Sequence, residues 1–177
     1  DLRYIPAMQV FMVHAKTSGT KTVSLHNGQR VHNAQAFYKA QNEINNLLTV
    51  KINANGKTDE AYILYFDDAT ESFDGKYDAY KLFSYAEGMP QLYTFSADEA
   101  MLAINTLPTQ SDSKAVALGY KAPSAGSQTM SFEGLTSFAQ PGSLQLEDKL
   151  LGIMHTLNDG SYEFVSEAGT VNNRFVL

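Results

Sequence analysis

Cysteine and tryptophan are both missing from this 177-residue chain. Without cysteine there is no disulfide, no thiolate metal site, no iron–sulfur cluster and no cysteine nucleophile. That absence does not assign a compartment, because a domain with an adequate core dispenses with disulfides. Without tryptophan, an aromatic ligand platform must be built from smaller rings. Positive charge is also scarce, 13 Lys and Arg against 19 Asp and Glu, for a net charge of -6. No run of basic residues supplies the footprint that phosphate backbones require, so nucleic acid is not an expected partner. No stretch of roughly 18 or more apolar residues is present, and membrane insertion is not expected. The chain begins Asp1-Leu2-Arg3 with neither an initiator methionine nor a signal peptide. It is therefore read as a fragment cut from a longer protein, with any targeting signals lying outside it.

Catalytic and metal signatures are equally sparse. The histidines, His14, His26, His32 and His155, stand apart from one another, with no H-x-x-x-H or H-x-H pair to favour zinc. Asn55-Gly56-Lys57-Thr58 ends like a phosphate-binding loop, but Lys51 stands where that loop needs its first glycine. Glu147-Asp148-Lys149 offers two adjacent acids. Neighbours in a strand point to opposite faces, so these two cannot converge on one glycosidic bond. A structural ion pair with Arg174 is the expected role. No activity is expected of the chain, and a hydrolase would need two carboxylates facing each other across a cleft.

What is present is a core-forming composition and a strand period. Hydrophobic residues make up 44% and charged residues only 18%, which supplies a core without staples and leaves the surface to uncharged polar residues. Leu48, Val50 and Ile52 alternate with Thr49, Lys51 and Asn53, the period of two of a half-buried strand, and Asn55-Gly56 closes it as a turn. Similar short runs occupy 5–13, 22–25, 61–66, 79–83, 91–95, 101–104, 115–121, 128–132, 143–146, 151–155, 161–166 and 173–177. Gly, Pro, Asn, Asp and Ser punctuate them at the spacing of an all-β protein rather than of alternating strands and helices. The expected fold is an antiparallel, jelly-roll-like β-sandwich over 1–177. Residues 1–40 serve as a lead-in or edge-strand segment, 41–177 as the main sandwich, and 31–46 as the seam.

The stretch from Ala61 to Phe83 carries the most chemistry. Asp67, Asp68, Asp74 and Asp78 crowd a Gly-containing turn between two strand-like runs. Calcium takes six to eight oxygens, so these four carboxylates are the candidate ligands for Ca²⁺, the alternative being a solvated connection. The EF-hand pattern is not met, since Ser72 and Asp78 stand where it needs glycine and glutamate. Aromatic residues cluster in and after the same turn, and Tyr77, Tyr80 and Tyr93 are the candidate ligand-binding rings, suited to a glycan or a surface protein. Core packing is the competing use for such rings.

Four stretches in order carry a family likeness. They are Tyr4-Ile5-Pro6-Ala7-Met8-Gln9-Val10-Phe11-Met12-Val13; Arg30-Val31-His32-Asn33 with Ala36-Phe37-Tyr38; Phe73-Asp74-Gly75-Lys76-Tyr77-Asp78-Ala79-Tyr80-Lys81-Leu82-Phe83; and Leu146-Glu147-Asp148-Lys149-Leu150 with Asn172-Asn173-Arg174-Phe175. Together they resemble the adhesin-like β-sandwich domain that precedes the C-terminal sorting domain in Bacteroidetes proteins exported by the type IX secretion system. The resemblance implies an extracellular or cell-surface module, neighbouring domains of a parent chain as partners, and no catalytic residues. Members of that family commonly carry Trp where Phe11-Met12 stands, so no aromatic role transfers to that strand. The functions implied are adhesion or ligand recognition, or else spacing and presentation of neighbouring domains with no small ligand.

Overall fold

The structure is a computed structural model that describes residues 5, 11, 13, 15–31, 45–109, 114–139 and 144–177. The chain forms two compact units, Asp1–Glu43 and Ile44–Leu177. In the first, Thr22–Leu25 is not a strand, contrary to the sequence reading, and its residues are exposed. A strand needs a partner's ladder to satisfy its N–H and C=O groups, and no pairing to this segment exists among the described residues. A single turn of 3₁₀-helix follows at Asn27–Gln29, closed by the His26 N–H donating to Gln29 Oε1 at 2.6 Å. The strand expected at 5–13 and the seam at 31–46 fall largely outside the described residues.

The second unit is all-β. Its strands are β1 (Leu47–Ala54), β2 (Lys57–Tyr65), β3 (Ala79–Tyr80), β4 (Gln91–Phe95), β5 (Met101–Leu107), β6 (Ala117–Ala122), β7 (Gly126–Glu133), β8 (Gln145–Asp148), β9 (Ile153–Thr156), β10 (Tyr162–Ser166) and β11 (Gly169–Val176). No α-helix occurs among the described residues. The β1–β2 hairpin forms as the turn chemistry dictates. Asn55 at φ 52° and Gly56 at φ 75° both occupy the left-handed region, the requirement of a two-residue type I′ turn.

The eleven strands among the described residues belong to one sheet, ordered β10-β7-β1-β2-β5-β4-β6-β11-β8-β9, with β3 attached to β5. This differs in two respects from an antiparallel jelly-roll-like sandwich. First, β2 and β5 pair in parallel, Tyr62 opposite Ile104 through Tyr65 opposite Leu107. A parallel pair needs a long crossover, and the segment carrying β3 and β4 provides it. Second, the sheet curls on itself into a nearly closed barrel instead of splitting in two. Leu48, Ile63, Leu118, Phe164 and Phe175, from strands all along the path, pack in one core cluster. The two end strands meet through side chains, His155 of β9 lying 5.3 Å from Tyr162 of β10 between ring centres. Twist accumulated across many strands makes this closure the cheaper way to bury one face and hide the edges.

Candidate functional site

Between the end of β2 at Tyr65 and the start of β4 at Gln91 the only strand is the two-residue β3, so most backbone N–H groups there lack a ladder. Carboxylates replace it. Asp78 accepts the Asp74 N–H on Oδ2 at 2.8 Å and the Thr106 N–H of β5 on Oδ1 at 2.7 Å. Thr106 Oγ1 in turn donates to the Tyr77 carbonyl at 3.0 Å. Asp98 Oδ1 accepts the Phe73 N–H at 2.8 Å and the Ser96 hydroxyl at 2.7 Å. Asp59 accepts the Leu92 N–H at 2.6 Å and pairs with Lys81. Main-chain bonds from Phe66 to Leu107, Lys81 to Met101 and Ala97 to Glu71 complete the attachment.

These contacts also set the acidities. Burial pushes the Asp78 carboxyl above the ordinary carboxylate value, outweighing its two N–H donors. The Phe73 N–H and the Ser96 hydroxyl hold exposed Asp98 below it.

The calcium set is therefore not assembled. Asp67 and Asp68 are exposed, whereas both Asp78 oxygens are occupied by backbone N–H groups and Asp74 Oδ1 accepts the Lys76 N–H at 2.9 Å. Among the described residues no three Asp, Glu or His side chains gather as a metal site. Clustering in sequence put acids near unpaired amides, and hydrogen bonding to those amides took priority over a shared cation.

The three candidate rings separate. Tyr80 is 37% exposed and stacks on Phe73, ring centres 4.1 Å apart and planes 19° from parallel. Tyr77 is half-buried, with Phe66 at 5.3 Å and the Lys76 ammonium 4.5 Å above its ring. Tyr93 is buried and presents no face to a ligand, which corrects its assignment. It stands opposite Gly119 in the β4–β6 register, donates from its hydroxyl to Asn172 Oδ1 at 2.7 Å, and is flanked edge-on by Phe83 and Phe95. Leu92 enters the core cluster, so alternation places Tyr93 on the outer face of β4, where Phe83 from the preceding loop covers it.

Exposed apolar side chains gather along the same segment and at the start of β5: Phe66, Tyr80, Leu82, Phe83, Tyr85 and Met101. Tyr85 is fully solvent-exposed. Lys81 bonds to the Met101 carbonyl, which brings the Tyr80–Phe83 run beside Met101. Leu82 and Met101 escape sequence reasoning because an isolated apolar residue in a strand-like run signals burial.

The second acidic candidate is structural. Asp148 is wholly buried and accepts Arg174 Nε at 3.0 Å and Nη2 at 2.7 Å, the Tyr162 hydroxyl at 2.9 Å and the Leu150 N–H at 3.1 Å. The Arg174 guanidinium lies 4.8 Å from the ring centres of both Phe164 and Phe175. Burial alone would raise the Asp148 carboxyl, but the Arg174 and Tyr162 hydrogen bonds hold it below the ordinary value. Glu147 is half-buried and has no part in this cluster.

Residues 2–177 match a protein family described as a domain of unknown function (DUF8693). The chain belongs to this family. No curated protein and no solved structure matches it. Membership spans both units, and the family's description names no activity.

Proposed function

We propose that the domain is a non-catalytic, adhesin-like recognition module of a secreted or cell-surface protein, and that it receives its ligand on the aromatic face of the 66–85 segment. The carrying observation is the Phe73–Tyr80 stack, in which Tyr80 is exposed and Phe73 half-buried, on a loop that carboxylates pin to the sheet. A stacked ring pair held in place loses little entropy on binding, and its apolar faces suit the C–H surface of a sugar ring or an aromatic-rich partner chain. The ordered likeness to type IX secretion cargo domains supports the extracellular setting. The non-catalytic reading draws support from Asp148, whose carboxylate is buried and bonded to Arg174 and Tyr162 out of reach of a substrate.

A glycan array probed with the intact chain tests this, with and without Ca²⁺ and beside the variant Tyr80→Ala. Binding to a restricted set of glycans, weakened at least tenfold by Tyr80→Ala and unaffected by Ca²⁺, is the expected result. Silence of the array under both conditions would remove carbohydrate recognition. The second reading, a spacer that presents neighbouring domains, is favoured by the burial of Tyr93 and would then stand.

A further inference from the structure

A cavity of about 510 Å³ opens at one end of the barrel, apart from the aromatic face. Its floor is the core itself, Leu48, Ile63, Val116 and Leu157, and its wall includes Tyr65 in edge contact with Phe138, ring centres 6.0 Å apart. This size falls within the range of small-molecule sites, and the polar side chains of Asn46, Thr109, Lys114, Gln145 and Glu147 join the apolar floor in its lining.

Tyr65 is the informative residue. Its ring is half-buried, and its hydroxyl, which is not closed off from solvent, is free to donate to a molecule in the cavity. A phenol is protonated at neutral pH in any case, and burial pushes this one further above its ordinary value. The charged groups at the cavity do not complement an ion: Lys114 is already paired with Glu71, and Glu147 adds negative charge.

We infer that the cavity binds a small neutral apolar molecule carrying a carbonyl, such as a fatty-acyl ester, with its chain over Leu48, Ile63 and Leu157 and its carbonyl oxygen accepting from Tyr65. The apolar floor supplies affinity by removing chain and wall from water, and the phenol supplies orientation. A fatty-acid carboxylate is disfavoured because no unpaired cation meets it among the described residues. This site is independent of the aromatic face, so either can fail without the other.

Titration of the intact chain with methyl octanoate, followed by amide and methyl NMR shifts, tests the inference. Saturable shifts confined to cavity residues are expected. Tyr65→Phe should weaken binding about fivefold, the worth of one hydrogen bond, while leaving the thermal midpoint unchanged or higher. Ala115→Trp is a second test, since Ala115 lines the cavity and is itself exposed. Its indole, the sole tryptophan in the chain, should show blue-shifted emission and abolish methyl octanoate binding. Equal affinity in Tyr65→Phe, shifts scattered over exposed residues such as Leu150 and Tyr85, or no shifts at all would overturn it.

Discussion

Replacing Arg174 with methionine should be among the most damaging single changes in this domain. Asp148 is fully buried and Arg174 only 6% exposed, and their three short contacts are supported by the Tyr162 hydroxyl and by two flanking rings. Methionine keeps much of the apolar stem but leaves the carboxylate without its cation. Removing one partner of a buried pair costs about 3–5 kcal/mol, because a charge remains uncompensated in a poorly polarisable site. With about 2–4 °C per kcal/mol for a chain of this length, the thermal midpoint should fall by roughly 6–20 °C. Asp148→Asn should cost a similar amount, and the double variant should cost clearly less than the sum, since no charge is then stranded. Urea unfolding followed by far-UV circular dichroism measures all four corners of this cycle. A cost below about 1 kcal/mol for Arg174→Met, or strict additivity in the double variant, would refute the claim that the pair is desolvated and coupled. The pH dependence follows from the same cluster. The Asp148 carboxyl is held lower in the folded state than in the unfolded chain, so its contribution is present above the unfolded carboxylate value, near pH 4, and is lost as pH falls through the folded one. Wild type should therefore lose stability on acidification in that window, and Asp148→Asn should lose less.

Two further substitutions probe the frame around the aromatic face. Gly119→Ala would place a Cβ 2.2 Å from Tyr93 Cε2, and the ring is held by Asn172, Phe83 and Phe95. It should cost about 1–3 kcal/mol by thermal melting, and most of that cost should vanish in a Tyr93→Leu background, where the obstructing ring is gone. Asn55→Ala puts a Cβ residue less tolerant of positive φ at the first turn position and should cost about 1–2 kcal/mol, whereas Asn55→Gly should be close to neutral in the same melt.

Within the second unit, local order was largely legible from residue patterns. The alternation from Leu48 to Ile52 became β1, with those three side chains in the core, and Gln91–Phe95 is β4 to the residue. Asn55-Gly56 turned where its chemistry requires. The pairing of Asp148 with Arg174 was also foreseeable. Adjacent acids on a strand diverge, and a buried one must find a cation. The parallel β2–β5 pairing was not legible, because strand period reports which side chains share a face and nothing about which strand lies alongside.

The uses of the acids and rings were decided only by tertiary structure. The sequence by itself indicated a strand-rich, cysteine-free chain with one acid-rich, aromatic-rich connection, and the strands are found among the described residues of the second unit. Whether Asp78 would face a cation or an amide depended on Thr106, which is distant in sequence and reaches it only when β5 is in place. Whether Tyr93 or Tyr80 would meet solvent depended on where the loop carrying Phe83 came to rest. Alternation sorts side chains between the two faces of a strand. It cannot say whether a loop will cover the outer face, since that covering is a contact between segments whose separation along the chain carries no periodic signal.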